Sequence, residues 1–213
     1  MAGLFVTFEG GEGSGKTTQL TALLLHLQAR GRVVVETRDP GGTPIGKQIR
    51  EMLLDRENGR MAPVTELLLY EASRAQLVRE VIRPALAAGR IVLCDRFTDS
   101  TLAYQGYGRG LHHDLIRQLN GLATGGLTPA LTFFLDLLPE AGLARIRGRQ
   151  SGTREDRIEV EVLAFHQAVR RGYLAIAAAE PGRVIVLDAT RGMAEIAEEI
   201  RGRVEARLEA DAA

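Results

Sequence analysis

The chain has 213 residues, enough to bury one sizeable core and short for two comfortable domains. Its 27 basic side chains balance 27 acidic ones, which argues against a general nucleic-acid binder. Cys94 is the single cysteine, which excludes an internal disulfide and a cysteine-built metal site, and no apolar run approaches the roughly 18 residues of a membrane span.

In chain order, "LFVTF" (Leu4–Phe8) is a strand pattern with no basic stretch or cleavage signal, and a cytoplasmic protein is expected. It leads into Gly10-x-x-x-x-Gly15-Lys16-Thr17, a complete phosphate-loop pattern. Glycines there let backbone N–H groups converge on phosphate oxygens, and the helix that follows adds its positive end. Gly10, Gly11, Glu12, Gly13, Ser14, Gly15, Lys16, Thr17 and Thr18 are therefore expected to hold ATP, with Lys16 on the β- and γ-phosphates and Thr17 on Mg²⁺. Glu12 is the odd residue, a carboxylate inside a loop meant for anions, and should point away from the ATP phosphates. Leu20, Leu23, Leu24 and Leu27 then repeat with helical spacing.

"RVVVET" (Arg32–Thr37) is the second strand and ends in "RDPGGT". In "LYEASRAQ", Tyr70 and Arg74 lie four apart and share a helix face. They suit a base and its phosphate, and they equally suit a core tyrosine with Arg74 paired to Glu71 or Glu66. "IVLC" (Ile91–Cys94) is the third strand. Asp95 after it fits a second partner for Mg²⁺, and Arg96 fits a phosphate clamp; alone, the two would pass for a surface ion pair. In "DSTLAYQGYGRG", Ser100, Thr101, Tyr104 and Gln105 offer hydrogen bonds to a base or sugar, or merely cap a surface helix. "LTFFLD" (Leu131–Asp136) is the fourth strand. Arg145, Arg147, Arg149, Arg154 and Arg157 bracket Gly148–Glu155, the one segment that reads as mobile. They form a flap over a transferring phosphoryl group, or a solvated face. "VIVLD" (Val184–Asp188) is the fifth strand, and Ile196, Ile200, Val204 and Leu208 mark the last helix.

Apolar runs alternating with helical patterns predict an α/β fold with a parallel sheet between helices. Each strand ends in a polar segment, so the chemistry should gather on the carboxyl edge of the sheet. A guanine-reading "NKxD" stretch and an "LSGGQ" signature are both missing, which favours a small-molecule kinase over a GTPase or transport ATPase.

"FEGGEGSGKTTQ", "TRDPGGTPIG", "ELLLYEASRAQLV", "CDRFTDSTLAYQGYGRG", "LTFFLDLLPEAGLAR" and "EDRIE", in this order across nearly the whole chain, resemble bacterial thymidylate kinase. The resemblance implies a P-loop NTPase sandwich with a five-stranded parallel sheet, one domain over 1–213 with a lid near 145–157, and a homodimer. It implies transfer of the γ-phosphoryl of Mg-ATP to dTMP. By position it places Tyr70 on the thymine face and Arg74 at the base edge or monophosphate. Arg96 falls near the acceptor phosphate, and Ser100, Thr101, Tyr104 and Gln105 fall around thymine and deoxyribose. Asp39 stands where most members carry glutamate and is counted with the acceptor site. Glu9 and Asp156 lie where some members place carboxylates near metal or acceptor, and Glu12 would turn to the 3′-hydroxyl of the acceptor sugar. Some relatives carry an arginine where this chain has Gly13, which moves that charge to the lid, to Arg149 or Arg154.

The expected catalytic charges are thus Lys16, Arg96 and a lid arginine, with Thr17, Asp95 and Glu9 at the metal. A kinase for another monophosphate is the nearest rival. A nucleotide-binding regulatory protein without turnover is the rival of a different class.

Overall fold

The computed structural model describes residues 3–149 and 156–210. Five parallel strands form one sheet in the order β2-β3-β1-β4-β5: β1 (Phe5–Glu9), β2 (Val34–Arg38), β3 (Ile91–Asp95), β4 (Leu131–Asp136) and β5 (Val184–Asp188). The expected strands are all present, with small shifts at their ends. Arg32 does not enter β2, because its N–H closes the turn after the first helix on the Leu27 carbonyl.

Alternation along the strands explains the two faces. Leu4, Val6 and Phe8 join Leu93, Phe133 and Leu135 on one side. There they meet Leu20, Leu23 and Leu27 of α1 (Lys16–Ala29) and Ile196, Ile200 and Val204 of α9 (Met193–Ala210). Phe5, Val92 and Cys94 point to the other side, with Leu77, Val78 and Ile82. The strands read as continuous apolar runs because both faces are covered. The buried Thr7 hydroxyl is satisfied across the sheet by Thr132 at 2.7 Å.

The second face carries the long helix that starts as α3 (Pro63–Leu77) and passes through a π-helical turn, Val78–Ile82, into α4 (Arg83–Ala87). Next to α3 lie α2 (Pro44–Leu54) and α6 (His113–Thr124). A second π-helical stretch, Leu102–Gly108, continues α5 (Thr98–Thr101), and the wider turn suits a segment whose side chains are aimed at a site. Arg183 fastens α5 to the sheet, with both Nη atoms donating to the Asp99 carboxylate at 2.7 and 2.8 Å. Gly148 and Arg149 close α7 (Pro139–Arg149) instead of opening a loop, and residues 150–155 of the expected mobile segment lie outside the described residues. Among the described residues no helix is long and apolar enough to cross a membrane.

The packing of α8 (Leu163–Ala179) on Leu102–Gly108 is tight enough to reverse a propensity argument. A Cβ on Gly172 would lie 2.8 Å from the Tyr107 ring and 3.1 Å from Ala103 Cα. Gly172→Ala should therefore cost about 1–3 kcal/mol although alanine favours helix. Gly202→Ala in α9, where a Cβ meets nothing, should gain about 0.5–1 kcal/mol. Denaturant melts of the two variants check the opposite signs.

Candidate active site

Two cavities open at the carboxyl edge of the sheet. The first surrounds the phosphate loop. Gly10, Gly13 and Gly15 take φ of 145°, 68° and 95°, which turns the backbone so that L side chains would be strained at all three. Gly13 also meets Gly142 of α7 so closely that a Cβ on it would lie 2.3 Å from the Gly142 carbonyl oxygen. Lys16 Nζ folds back onto the loop, donating to the Gly11 carbonyl at 2.9 Å and the Gly10 carbonyl at 3.2 Å. Burial, then the Arg96 charge, pull its ammonium below the ordinary lysine range, against Glu12 and Asp95. Thr17 Oγ1 donates to Asp95 Oδ2 at 3.2 Å, while Asp95 Oδ1 is buried with no partner among the described residues. Ser14, Gly15, Thr18, Arg38, Arg50, Ile146 and Glu159 also line it.

The second cavity is lined by Tyr70, Arg74, Ser100, Thr101, Tyr104, Gln105 and Asp156, among others. Glu12, Asp39, Arg50 and Arg96 line both cavities and so form the wall between them. Arg96 dominates that wall. It holds φ of 70°, the only positive value at a non-glycine residue among those described. Its Nη2 donates to Glu12 Oε1 at 2.6 Å and its Nη1 to the Gly10 carbonyl at 2.9 Å. The guanidinium also lies over the Tyr104 ring. Tyr104 donates its hydroxyl to Glu12 Oε1 at 2.9 Å. Burial pushes the Glu12 carboxyl up, but the Arg96 and Lys16 charges and the Tyr104 hydroxyl bring it down to about 2. Glu12 thus faces the second cavity as an anion, with no protein donor to Oε2 among the described residues.

The expected acceptor residues converge, with differences in how they are engaged. Arg74 is buried, and four of its five N–H groups go to Asp39, Glu71, Asn120 and the Phe97 carbonyl. It pairs with Glu71, as one of the two readings of "LYEASRAQ" has it, and still reaches the cavity wall beside Tyr70. Ser100 turns its hydroxyl inward to Glu9. Thr101 Oγ1 and Asp39 Oδ1 are buried without partners among the described residues.

Glu9 corrects an expectation. It is fully buried and does not line the phosphate-loop cavity. Its Oε1 accepts from the Phe97 N–H at 2.8 Å, and its Oε2 accepts from Ser100 at 2.6 Å and Tyr173 at 2.8 Å. With both oxygens engaged, Glu9 supports the site from below and is not brought to a metal position. Arg154 and the Arg149 side chain lie outside the described residues.

Arg50 and Tyr173 have no motif behind them, and Arg38, the first residue of "RDPGGT", lines the phosphate-loop cavity without having been singled out. Arg50 comes from α2, anchored by the Pro40 carbonyl at 3.2 Å, and Tyr173 from α8 reaches Arg96 Nη1 at 3.2 Å. The only sequence signal for Arg50 is that it follows "RDPGGT" on the same helix. For Tyr173 there is none, since its partners lie 73 and more residues away.

Residues 8–200 match the family model described as thymidylate kinase. The thymidylate kinase of Geotalea uraniireducens is 54% identical over 209 residues, covering 97% of this chain and 98% of the relative. That of Deinococcus radiodurans is 55% identical over 205 residues, covering 96% and 98%. The crystal structure of thymidylate kinase from Ehrlichia chaffeensis superposes with a TM-score of 0.77 at 33% identity, covering 96% of this chain and 99% of the other. The match takes in the phosphate loop, the shared wall and the second cavity alike, and the chain belongs to the thymidylate kinase family.

Proposed function

We propose that the wall shared by the two cavities is where phosphoryl transfer happens, with ATP on the phosphate-loop side and dTMP on the other. The enzyme is an ATP:dTMP phosphotransferase, giving ADP and dTDP. The observation that carries the residue assignment is that one set of side chains, Glu12, Arg50 and Arg96 with Asp39, borders both cavities.

Transfer between two phosphates asks the protein for position and charge. The acceptor oxygen is already ionised, so no dedicated base is needed. Lys16 exchanges its loop carbonyls for ATP phosphate oxygens. Arg96 and Arg50 sit between donor and acceptor, where the negative charge of two phosphates accumulates. Glu12 Oε2 takes the 3′-hydroxyl of deoxyribose, and Tyr70 stacks on thymine. Thr101, Tyr104, Gln105 and Arg74 surround the base and sugar. Arg149 or Arg154 of a lid over 145–157 supplies the charge that Gly13 does not. One domain spans 1–213.

Among the described residues no cluster of three or more acidic, histidine or cysteine side chains makes an all-protein cation cage. Thr17 and Asp95 suit Mg²⁺ nonetheless, because Mg²⁺ takes few protein ligands and completes its shell with phosphate and water. The orphaned Asp95 Oδ1 beside Thr17 is the group such an ion would satisfy. Bound there, it would neutralise phosphate charge.

A homodimer is part of the proposal. Ile45 and Met52 of α2, Val64 and Leu68 of α3, and Leu115 and Leu122 of α6 are exposed on three helices that pack together. Apolar surface of this extent suits a second copy. A cytoplasmic location, where both nucleotides are met, belongs to the same reading.

Coupled ADP release with a panel of monophosphates should show dTMP as the preferred acceptor, with turnover lost on chelating divalent cations. Lys16→Ala and Arg96→Ala should each lose at least about 10²-fold in kcat while folding normally by circular dichroism. Near-normal rates in either would contradict these roles. Light scattering should report a dimer, and Leu68→Arg with Leu122→Arg should give monomer; a monomeric wild type removes the dimer.

Glu9 makes stability depend on pH. Burial, then Asp99, push its carboxyl up from 4.5 to about 7, against Arg96 and the Ser100 and Tyr173 hydroxyls. Between these values the folded chain keeps a proton that the unfolded chain releases, so stability falls as pH rises through this window. Glu9→Gln cannot titrate. Its stability relative to wild type should rise by on the order of a few kcal/mol between pH 4.5 and 7.5. Urea melts giving a constant difference would contradict this.

A further inference from the structure

We infer that Glu66, a residue outside both cavities, sets base selectivity by fixing which end of the Gln105 carboxamide faces the acceptor base. The inference rests on reading the second cavity as the dTMP site. Gln105 is 1% exposed and lines that cavity. Its Nε2 donates to Glu66 Oε1 at 2.8 Å, and Glu66 is not among the lining residues. An ionised carboxylate only accepts hydrogen bonds. The amide nitrogen must therefore turn to Glu66, because the flipped amide would set two acceptors against each other.

Glu66 is itself held in place. Arg109 Nε and Nη2 donate to its two oxygens at 3.1 Å each, and Arg157 Nη2 lies 2.6 Å from Oε2. Burial pushes the carboxyl up, but the Arg109 and Gln105 hydrogen bonds and the arginine charges bring it below its usual range. Among the described residues the Gln105 side chain makes its hydrogen bond through Nε2, and no donor to Oε1 is seen. The cavity thus presents a fixed acceptor, beside the unpartnered Thr101 hydroxyl and the Arg74 cation. Thymine carries an N–H between two carbonyls, and cytosine carries a lone pair at that atom. A fixed acceptor takes the first and repels the second, the kind of polar mismatch that discriminates strongly.

The test is the ratio of kcat/KM for dTMP over dCMP in the intact enzyme. In Glu66→Gln the neighbour donates as well as accepts, so the Gln105 amide populates both orientations. The ratio should fall by about tenfold or more, mainly through KM, in a folded chain. Arg109→Gln removes a partner of Glu66 without changing what faces Gln105, and should keep the wild-type ratio. Gln105→Leu should also lower the ratio, and adding Glu66→Gln to it should change the ratio no further. If Glu66→Gln does not fold, Glu66→Gln with Arg109→Gln, which relieves a cation short of countercharge, is measured in its place. Parallel losses on both nucleotides, or an unchanged ratio in folded enzyme, would overturn the assignment. A wild type inactive on dTMP would instead overturn the reading of the cavity, before any variant is made.

Discussion

The ion pair between Arg96 and Glu12 is the interaction on which the rest of the site depends. The sheet gathers Lys16, Arg38, Arg50 and Arg96 at one edge, an arrangement that repels itself before phosphates arrive. Glu12 offsets part of that charge at 2.6 Å from Arg96. Ion pairs taken out of water roughly break even between Coulomb gain and lost hydration, so the pair is weak evidence for stability. Its consequence is geometric. Arg96 is held against the loop carbonyl of Gly10, and Glu12 is held in the wall between the two cavities. An acid inside a phosphate loop is tolerable because an arginine from the neighbouring strand end claims it.

That arrangement asks for backbone support at two places. Gly13 and Gly142 must both lack side chains, since a Cβ on Gly13 would run into the Gly142 carbonyl oxygen and a Cβ on Gly142 would lie 2.2 Å from the Glu12 carbonyl oxygen. Their contact lets α7, the helix that carries Arg145 and ends at Arg149, lie directly on the loop. Arg145 adds to the contact, donating to the Gly13 carbonyl at 3.4 Å and the Ala189 carbonyl at 3.3 Å. The phosphate loop and the helix leading to the proposed lid are therefore one packed unit.

The strands and the phosphate loop were legible in the sequence because their causes are local. Strands buried on both faces read as continuous apolar runs, and the loop needs its glycines at fixed spacing. Glu12 stood out for an electrostatic reason, since a carboxylate facing phosphates would be repelled, and the structure gives it Arg96 and Tyr104 as partners. What stayed hidden depends on chain segments meeting in space. "LYEASRAQ" held two readings of Arg74 open; the structure pairs Arg74 with Glu71 and Asp39 and leaves it in the cavity wall, where the base-binding reading is still a proposal. Glu9 looked like a metal carboxylate by position. Nothing near it in sequence announces that Ser100 and Tyr173, 91 and 164 residues on, would occupy its oxygens. Tyr173 lacked any local signal for the same reason.

The placement of Glu9 also answers how the strain at Arg96 is sustained. A non-glycine residue at φ of 70° costs on the order of 1 kcal/mol, and it persists only where its surroundings determine it. On one side the Arg96 N–H is fixed to the Phe8 carbonyl at 3.0 Å, and on the other the Phe97 N–H is fixed to Glu9. Glu9 further holds the Ser100 and Tyr173 hydroxyls, both of which face Arg96 Nη1. A fully ionised acid here would set a second negative charge close beneath the cation and weaken its pull on phosphate. Burial, then Asp99, raise the Glu9 carboxyl to about 7, so it carries less than a full charge near neutral pH while its oxygens order the Ser100 and Tyr173 hydroxyls that face Arg96. The site thus separates two duties of a carboxylate. Glu12 keeps its charge and faces the acceptor, and Glu9 gives up much of its own to brace the cation between them.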